Sequence, residues 1–257
     1  MSEKVAKLYD ALFEIEYSLK HKNIYPIHKR LNLKSLGYVD IYDYVLKKHI
    51  GLKGNLQILD AGCGVGYGSV FLAQNSSHKI TGISISPKEI NQGQKVVKSQ
   101  LISNCDFELK DFLSLGKRTF DVIVCVESLK HAKDINNVLK TLINHLNPCG
   151  KIILVEDVFV GNLKTNSLVS KFQENWILSE VLDSNTLQLK GVKVKKEDLT
   201  PLIKTGLHLS FFIRKTLVFV SALLKDKAFK QLFLGGIQLE QLYRNKQMKY
   251  QLIQFTK

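Results

Sequence analysis

The sequence predicts a doubly wound α/β fold around a mostly parallel sheet, with helices at the N-terminal end and a helical substrate-side cap. Two observations predict it. Five short apolar runs, at residues 56–60, 79–86, 105–111, 120–127 and 151–158, are interleaved with segments of helical periodicity, the pattern of βαβ units. A glycine cluster, Gly62, Gly64, Gly66 and Gly68, follows the first run and opens the first of those helices. Right-handed crossovers bring the C-terminal ends of the strands to one edge, and a ligand is expected where the strand order reverses.

The 257 residues are room for one compact domain with a full core. Residues 1–50 are read as an N-terminal helical lid. Leu8, Leu12, Ile15 and Leu19, three or four apart, mark one amphipathic helix. Asn23 to Pro26 break it, and a second helix over 39–50 stops before Gly51 and Gly54. Tyr17, Tyr25 and Tyr42 are the aromatic candidates for such a lid. Residues 51–160 form the ligand-binding core. After the first strand and the glycine loop, a helix runs through Phe71 and Leu72. Further helices cover 87–101 and the stretch after Asp134, a good N-cap, and residues 147–150 form a turn before the fifth strand. Residues 161–257 complete the sheet and add substrate-side helices. Residues 166–182 are helical, and 186–196 read as a strand pair. The apolar stretch 207–224 contains Arg214 and Lys215; it is too short and too charged to span a bilayer and suits a core or interfacial helix.

The net charge of +14 raises nucleic acid, an anionic membrane or an acidic substrate as partners. Of 37 basic residues only Arg30, Arg118, Arg214 and Arg244 are arginines, and the lysines are scattered. That is a solvated surface rather than a nucleic-acid platform, and it leaves peripheral membrane contact open. The four cysteines, Cys63, Cys105, Cys125 and Cys149, form no CxxC or Cys/His cluster of zinc-ligand spacing. No metal is expected, and the thiols suit a reducing, cytoplasmic setting. The first residues carry no apolar core of a secretory signal.

The loop Leu59-Asp60-Ala61-Gly62-Cys63-Gly64-Val65-Gly66-Tyr67-Gly68 carries the chemistry. Glycines let a backbone approach a ligand closely, and the following helix N-terminus suits an anionic group. A dinucleotide site reads GxGxxG; here the spacing is GxGxG, with a carboxylate ahead of it. Asp60 would repel a pyrophosphate and suit an ammonium group, leaving the helix end to the same ligand's carboxylate. An amino acid joined to a nucleoside has both, and S-adenosylmethionine is such a molecule.

At this point the sequence resembles the class I S-adenosylmethionine-dependent methyltransferases. The resemblance covers residues 55–160: LDAGCGVGYGS, ITGISISPKEI, KDFLSL, FDVIVCVESLKHAKD and LNPCGKIILVEDV follow in the family's order. It implies a Rossmann-like sheet of seven strands with S-adenosylmethionine as cofactor. Carried residue by residue, it implies that Asp60, Gly62, Gly64 and Gly66 line the methionine part, that Ile85 and Phe112 flank the adenine, and that Asp111 accepts from the adenine amino group. The acidic ribose contact of the family falls on Ser84, a departure: a hydroxyl can still hydrogen bond the ribose but loses the charge-assisted bidentate bond. Glu127-Ser128-Leu129-Lys130-His131 narrows the likeness to the branch of sterol and tocopherol C-methyltransferases and cyclopropane-forming enzymes. The tail, with FQENW, EDLT and the last 23 residues from Gly235, is similar to that branch's substrate side.

The acceptor expected from that likeness is a small hydrophobic molecule, isoprenoid- or sterol-like, methylated at carbon. O- or N-methylation of a small aromatic or amine is the alternative, and RNA methylation is less favoured. Methyl transfer to an alkene carbon leaves a cation that needs an anion and then loses a proton. Glu127, ending the fourth strand, is the candidate carboxylate, with burial expected to raise its pKa. His131, four residues on, is the candidate to orient it or relay the proton.

Overall fold

The computed structural model describes residues 28–33, 37–161, 166–183, 191–203 and 227–257, with Val5, Leu187 and Leu189. A short antiparallel pair, β1 (Leu31–Leu33) and β2 (Gly37–Val39), precedes the core. The central strands are β3 (Gln57–Ala61), β4 (Lys79–Ser84), β5 (Cys105–Leu109), β6 (Phe120–Val126), β7 (Leu146–Phe159), β8 (Lys193–Asp198) and β9 (Met248–Thr256). They form one seven-stranded sheet in the order β5-β4-β3-β6-β7-β9-β8. The five strands from β3 to β7 run parallel, and β9 is antiparallel to both β7 and β8.

The helices are α1 (Ile41–Val45), α2 (Tyr67–Gln74), α3 (Pro87–Ser99), α4 (Ile135–Asn144), α5 (Ser167–Trp176) and α6 (Lys227–Arg244). Their starts follow from local chemistry. Asp40 caps α1, which continues as a wider turn to Ile50 and stops at Gly51, where φ is +99°. Ser86 accepts from the Glu89 N–H ahead of Pro87 in the first turn of α3. Asp134 caps α4, as its sequence position predicts.

Alternate residues feed two apolar layers. Ile58, Val122, Val124 and Ile153 face one, with Ile41, Val45 and Phe107. Leu59, Ile123, Cys125 and Leu154 face the other, with Leu139 and Leu142 of α4. Both faces of the central strands are covered, so they read as continuous apolar runs. The strand order reverses between β3 and β6, and the C-terminal ends of β3, β4, β5 and β6 share the edge where a ligand binds in such sheets.

Three expectations change. β8 pairs along its length with β9, because the last strand is long enough to zip both β7 and β8; of the first half of the strand pair read over 186–196 only Leu187 and Leu189 are described. The turn at 147–150 is a bulge within β7: Phe120 faces Leu146 while Val122 faces Lys151, and Cys149 takes φ +62°. The helix read over 166–182 ends at Trp176, with Ile177 left-handed. The amphipathic helix before residue 20, Tyr17, Tyr25 and the apolar stretch 207–224 lie outside the described residues. All four thiols are free, and only Cys149 is exposed. Among the described residues no helix is long and apolar enough to cross a membrane.

Candidate active site

The donor half of the edge is built by three loops. Gly62, Gly64 and Gly66 take φ of +81°, +53° and +85°, values that a side chain disfavours. They turn the chain from β3 into α2, whose positive N-terminal end follows the loop. Asp60 is fully buried beneath them. Tyr42 Oη donates to its Oδ1 at 2.9 Å and Ser69 Oγ to its Oδ2 at 2.7 Å. Tyr42 reaches it across Gly68, where a Cβ would fall 2.0 Å from the ring. Burial pushes the Asp60 carboxyl up to about 6 in spite of both hydrogen bonds. In this arrangement Asp60 anchors the loop from below. The direct ammonium contact expected of it meets oxygens already engaged.

At the end of β4 the Ser84 hydroxyl donates to Glu89 Oε2 at 2.6 Å and accepts from the Ser86 N–H. Glu89 is buried, and a Cβ on Gly64 would lie 3.8 Å from its Oε1. A carboxylate from the first turn of α3 thus stands beside position 84. Ile85 is half-buried beside it. Phe112 is buried, with its ring edge 3.5 Å from where a Gly62 Cβ would stand. Half-exposed Asp111 opens the turn after β5, accepting from the Leu113 N–H at 3.0 Å. A glycine turn at a helix N-terminus, a buried acid, an aliphatic and aromatic pair and a rim carboxylate fit an adenosyl amino acid from end to end.

The other half lies at the ends of β6 and β7. Glu127 leaves β6 with φ +51°, a left-handed backbone costing about 1 kcal/mol or more. Its Oε1 accepts from the Lys29 backbone N–H and from Tyr250 Oη, both at 3.0 Å. Lys29 Nζ is 3.5 Å from the same carboxylate, and Lys130 Nζ is 3.6 Å from Oε2. On β7, Glu156 stands 3.6 Å from Lys130 Nζ, and Asp157 takes Lys29 Nζ at 2.9 Å and a hydrogen bond from Tyr243. The ammonium groups also cover rings, Lys29 at 4.8 Å from the Tyr250 centroid and Lys130 at 4.7 Å from Trp176.

This cluster overturns one expectation. Burial does push Glu127 upward, but Lys29 and Lys130 more than reverse it, and the carboxyl is held below its ordinary range. Glu156, deeper in the sheet, is the carboxyl that burial raises, to about 7. His131 is buried in the short turn after β6, and burial with the adjacent Lys130 charge lowers it to about 3, a neutral imidazole. Among the described residues Glu127 is held by Lys29, Lys130 and Tyr250.

A family model described as a methyltransferase domain matches residues 52–206. The chain belongs to that family. The family's cofactor is S-adenosylmethionine, in keeping with the fit of the donor half. Norajmaline N-methyltransferase of Rauvolfia serpentina is 28% identical over 157 residues, 60% of this chain and 51% of that protein. Cycloartenol-C-24-methyltransferase 1 of Oryza sativa subsp. japonica is 28% identical over 133 residues, 51% and 39% of the two. The chain thus spans about half the length, or less, of these curated relatives. Among solved structures, geranyl diphosphate methyltransferase with GPP and sinefungin superposes with a TM-score of 0.70 at 16% identity, over 99% of this chain and 98% of that one. The [4+2]-cyclase SpnF gives 0.72 at 18%, over 98% and 95%. At such identities these two establish the fold.

The loops singled out in the sequence share one edge of the sheet; the charged groups packed against them were not foreseen. Glu89 had a signal, the Ser-x-x-Glu capping box from Ser86. Glu156 and Asp157 had a weaker one, two acids ending an apolar strand, which must find partners. Lys29, Tyr243 and Tyr250 had none, being 98, 116 and 123 residues from Glu127 in the chain.

Proposed function

We propose that this chain transfers a methyl group to a small hydrophobic acceptor, at an alkene carbon of an isoprenoid- or sterol-like molecule. One observation carries the reading: a partly buried carboxylate, Glu127, kept ionised at the sheet edge by two ammonium groups. When bound, the donor supplies an electrophilic methyl group on a sulfonium. The loop Gly62–Gly66, with Asp60 below it, holds the amino-acid end of that molecule. Glu89, with Ser84 behind it, meets the ribose hydroxyls; Ile85, Phe112 and Asp111 take the adenine.

An alkene carbon that takes the methyl, with S-adenosylhomocysteine as the leaving group, leaves positive charge on its neighbour, and a carbon beside that cationic centre then loses a proton to restore a double bond. The Glu127 anion stabilises that charge and accepts the proton. Aromatic Trp176, Tyr243 and Tyr250 flank the acceptor space, and residues 28–30 of the N-terminal segment close it by way of Lys29. His131, kept neutral, shapes the floor beneath this turn. Two relatives are named for acceptors of this kind, cycloartenol in rice and 2-methyl-6-phytyl-1,4-hydroquinone in a Synechocystis enzyme 31% identical over 127 residues, while others are N- or O-methyltransferases by name.

A second reading, N-methylation of a small amine, is favoured by the surplus of carboxylates, Glu127, Glu156 and Asp157 against Lys29 and Lys130. The two part on Glu127→Gln. With labelled donor and a panel of isoprenoid diphosphates, sterols, quinols and amines, carbon methylation collapses in the variant. Amine methylation that survives in it would replace the first reading with the second.

A further inference from the structure

Lys130 is an unexpected cation at this edge. It is 6% exposed, in the turn Leu129–His131 that follows β6. Glu156 grips it at both ends: Oε1 lies 3.6 Å from Nζ, and Oε2 accepts from its backbone N–H at 3.4 Å. The Trp176 ring, on α5, covers the ammonium from another side. The two oxygens of Glu127 are then unequal. Oε1 accepts two hydrogen bonds. Oε2, among the described residues, has the Lys130 ammonium at 3.6 Å as its neighbour, beyond hydrogen-bond reach.

We propose that Lys130 is a positioning residue: fixed by Glu156 and Trp176, its ammonium keeps Glu127 an anion and turns Oε2 toward the reacting atom of the acceptor. Every charged group around the pair bears on this. Lys29 adds a second cation from the N-terminal segment, 3.5 Å from Oε1, and its charge is the larger of the two influences that keep Glu127 ionised; Lys130 is the less exposed, with 7% of its side chain accessible against 24%. Asp157 and Tyr243 engage Lys29 from β7 and α6. Tyr250 donates from β9. Glu156 opposes Glu127 in charge but holds Lys130, and His28 and His131 stand on either side of the pair in sequence with His131 neutral. Lys130 is thus the buried cation beside Oε2, and its removal leaves Glu127 with the Lys29 ammonium on the Oε1 side.

The aiming of Oε2 rests on the function proposed above; the charge coupling does not, and the experiment separates them. The full chain is labelled at the glutamate carboxyl carbon, and the Glu127 carbon-13 signal is assigned by its loss in Glu127→Gln. Its titration is followed without acceptor. In the wild type the signal stays at its ionised position well below the ordinary carboxyl range. In Lys130→Met it titrates about one pH unit higher or more, about tenfold in proton affinity, and Lys130→Arg restores the wild-type curve. A folded Lys130→Met that titrates as wild type, or an Arg variant that behaves like Met, overturns the proposal. Should Lys130→Met not fold, Glu156→Gln reads the same coupling: Glu127 then titrates lower than in the wild type, because Lys130 no longer shares its charge, and an unchanged or raised titration overturns it. With an accepted substrate, Lys130→Met also lowers kcat about tenfold and moves the acid limb of the pH profile upward while donor affinity holds. A shifted titration with unchanged kcat would remove the aiming role. A wild type that methylates nothing would count against the function and leave the titration result standing.

Discussion

Asp60, fully buried, and Glu127, with 14% of its side chain accessible, are carboxylates at the ends of neighbouring parallel strands, and they end in opposite states. Asp60 has two neutral hydroxyl donors, from Tyr42 and Ser69, and burial still wins, leaving it near 6. Glu127 has a hydroxyl and a backbone donor as well, and two ammonium groups besides; its pKa falls. Hydrogen bonds to neutral groups satisfy a buried acid without overcoming desolvation, whereas a pair of nearby cations overcomes it. The first arrangement makes an anchor for a loop. The second makes an anion ready to meet positive charge.

The largest test of that difference is Glu127→Gln, which keeps shape and hydrogen-bonding capacity and removes the charge. Methyl transfer to an alkene acceptor should fall about a hundredfold or more, while calorimetry gives unchanged affinity for S-adenosylhomocysteine; equal losses in both would place Glu127 in the donor half. Next, Glu89→Ala should weaken S-adenosylhomocysteine about tenfold, the worth of a charged hydrogen bond to a ribose. Ser84→Ala, which keeps the carboxylate, should cost less, and the reverse order would return the ribose contact to Ser84. A smaller effect belongs to Tyr42→Phe. It strips one donor from Asp60 and should cost about 1–2 kcal/mol in urea unfolding; a neutral result would mean that Ser69 alone satisfies the acid.

The pH dependence of stability sharpens the same comparison. Asp60 and Glu156 have folded pKa values of about 6 and 7, above their ordinary ones. The folded state therefore keeps protons that the unfolded chain releases. Their penalty is absent in acid, grows as pH rises from about 4 toward 7, and is complete above that. Glu127 has the opposite sign: its contribution is present above the ordinary carboxyl range and is lost as pH falls through its lowered folded value. Melting temperatures against pH should therefore decline less steeply between about 4 and 7 in Glu156→Gln than in the wild type. In Glu127→Gln the loss on acidification should shrink. Parallel curves for all three proteins would contradict both assignments.

The sheet was legible because its five parallel strands are local events, each an apolar run with a turn at its end, and the glycine loop repeats its spacing in plain view. The placement of Gly62 to Gly66, Ile85, Asp111 and Phe112 at one sheet edge was legible for the same reason: each sits just past a strand. The carboxylate beside Ser84 was not read, since Glu89 lies in the following helix. The charge state of Glu127 could not be read, since it depends on Lys29 from the N-terminal segment and Tyr250 from the last strand, contacts made by topology rather than by spacing. β9 pairing with β8 was missed for a related cause: an edge strand of lysines and valine, Lys193 to Lys196, carries no mark of its partner.

The central claim is that the edge between β3 and β4 holds an adenosyl amino acid and not a dinucleotide. Isothermal titration of the full chain with S-adenosylhomocysteine, and separately with NADH, tests it directly. The expected result is saturable heat with S-adenosylhomocysteine, weakened in Glu89→Ala, and none with NADH. Saturable heat with NADH and none with S-adenosylhomocysteine would contradict it.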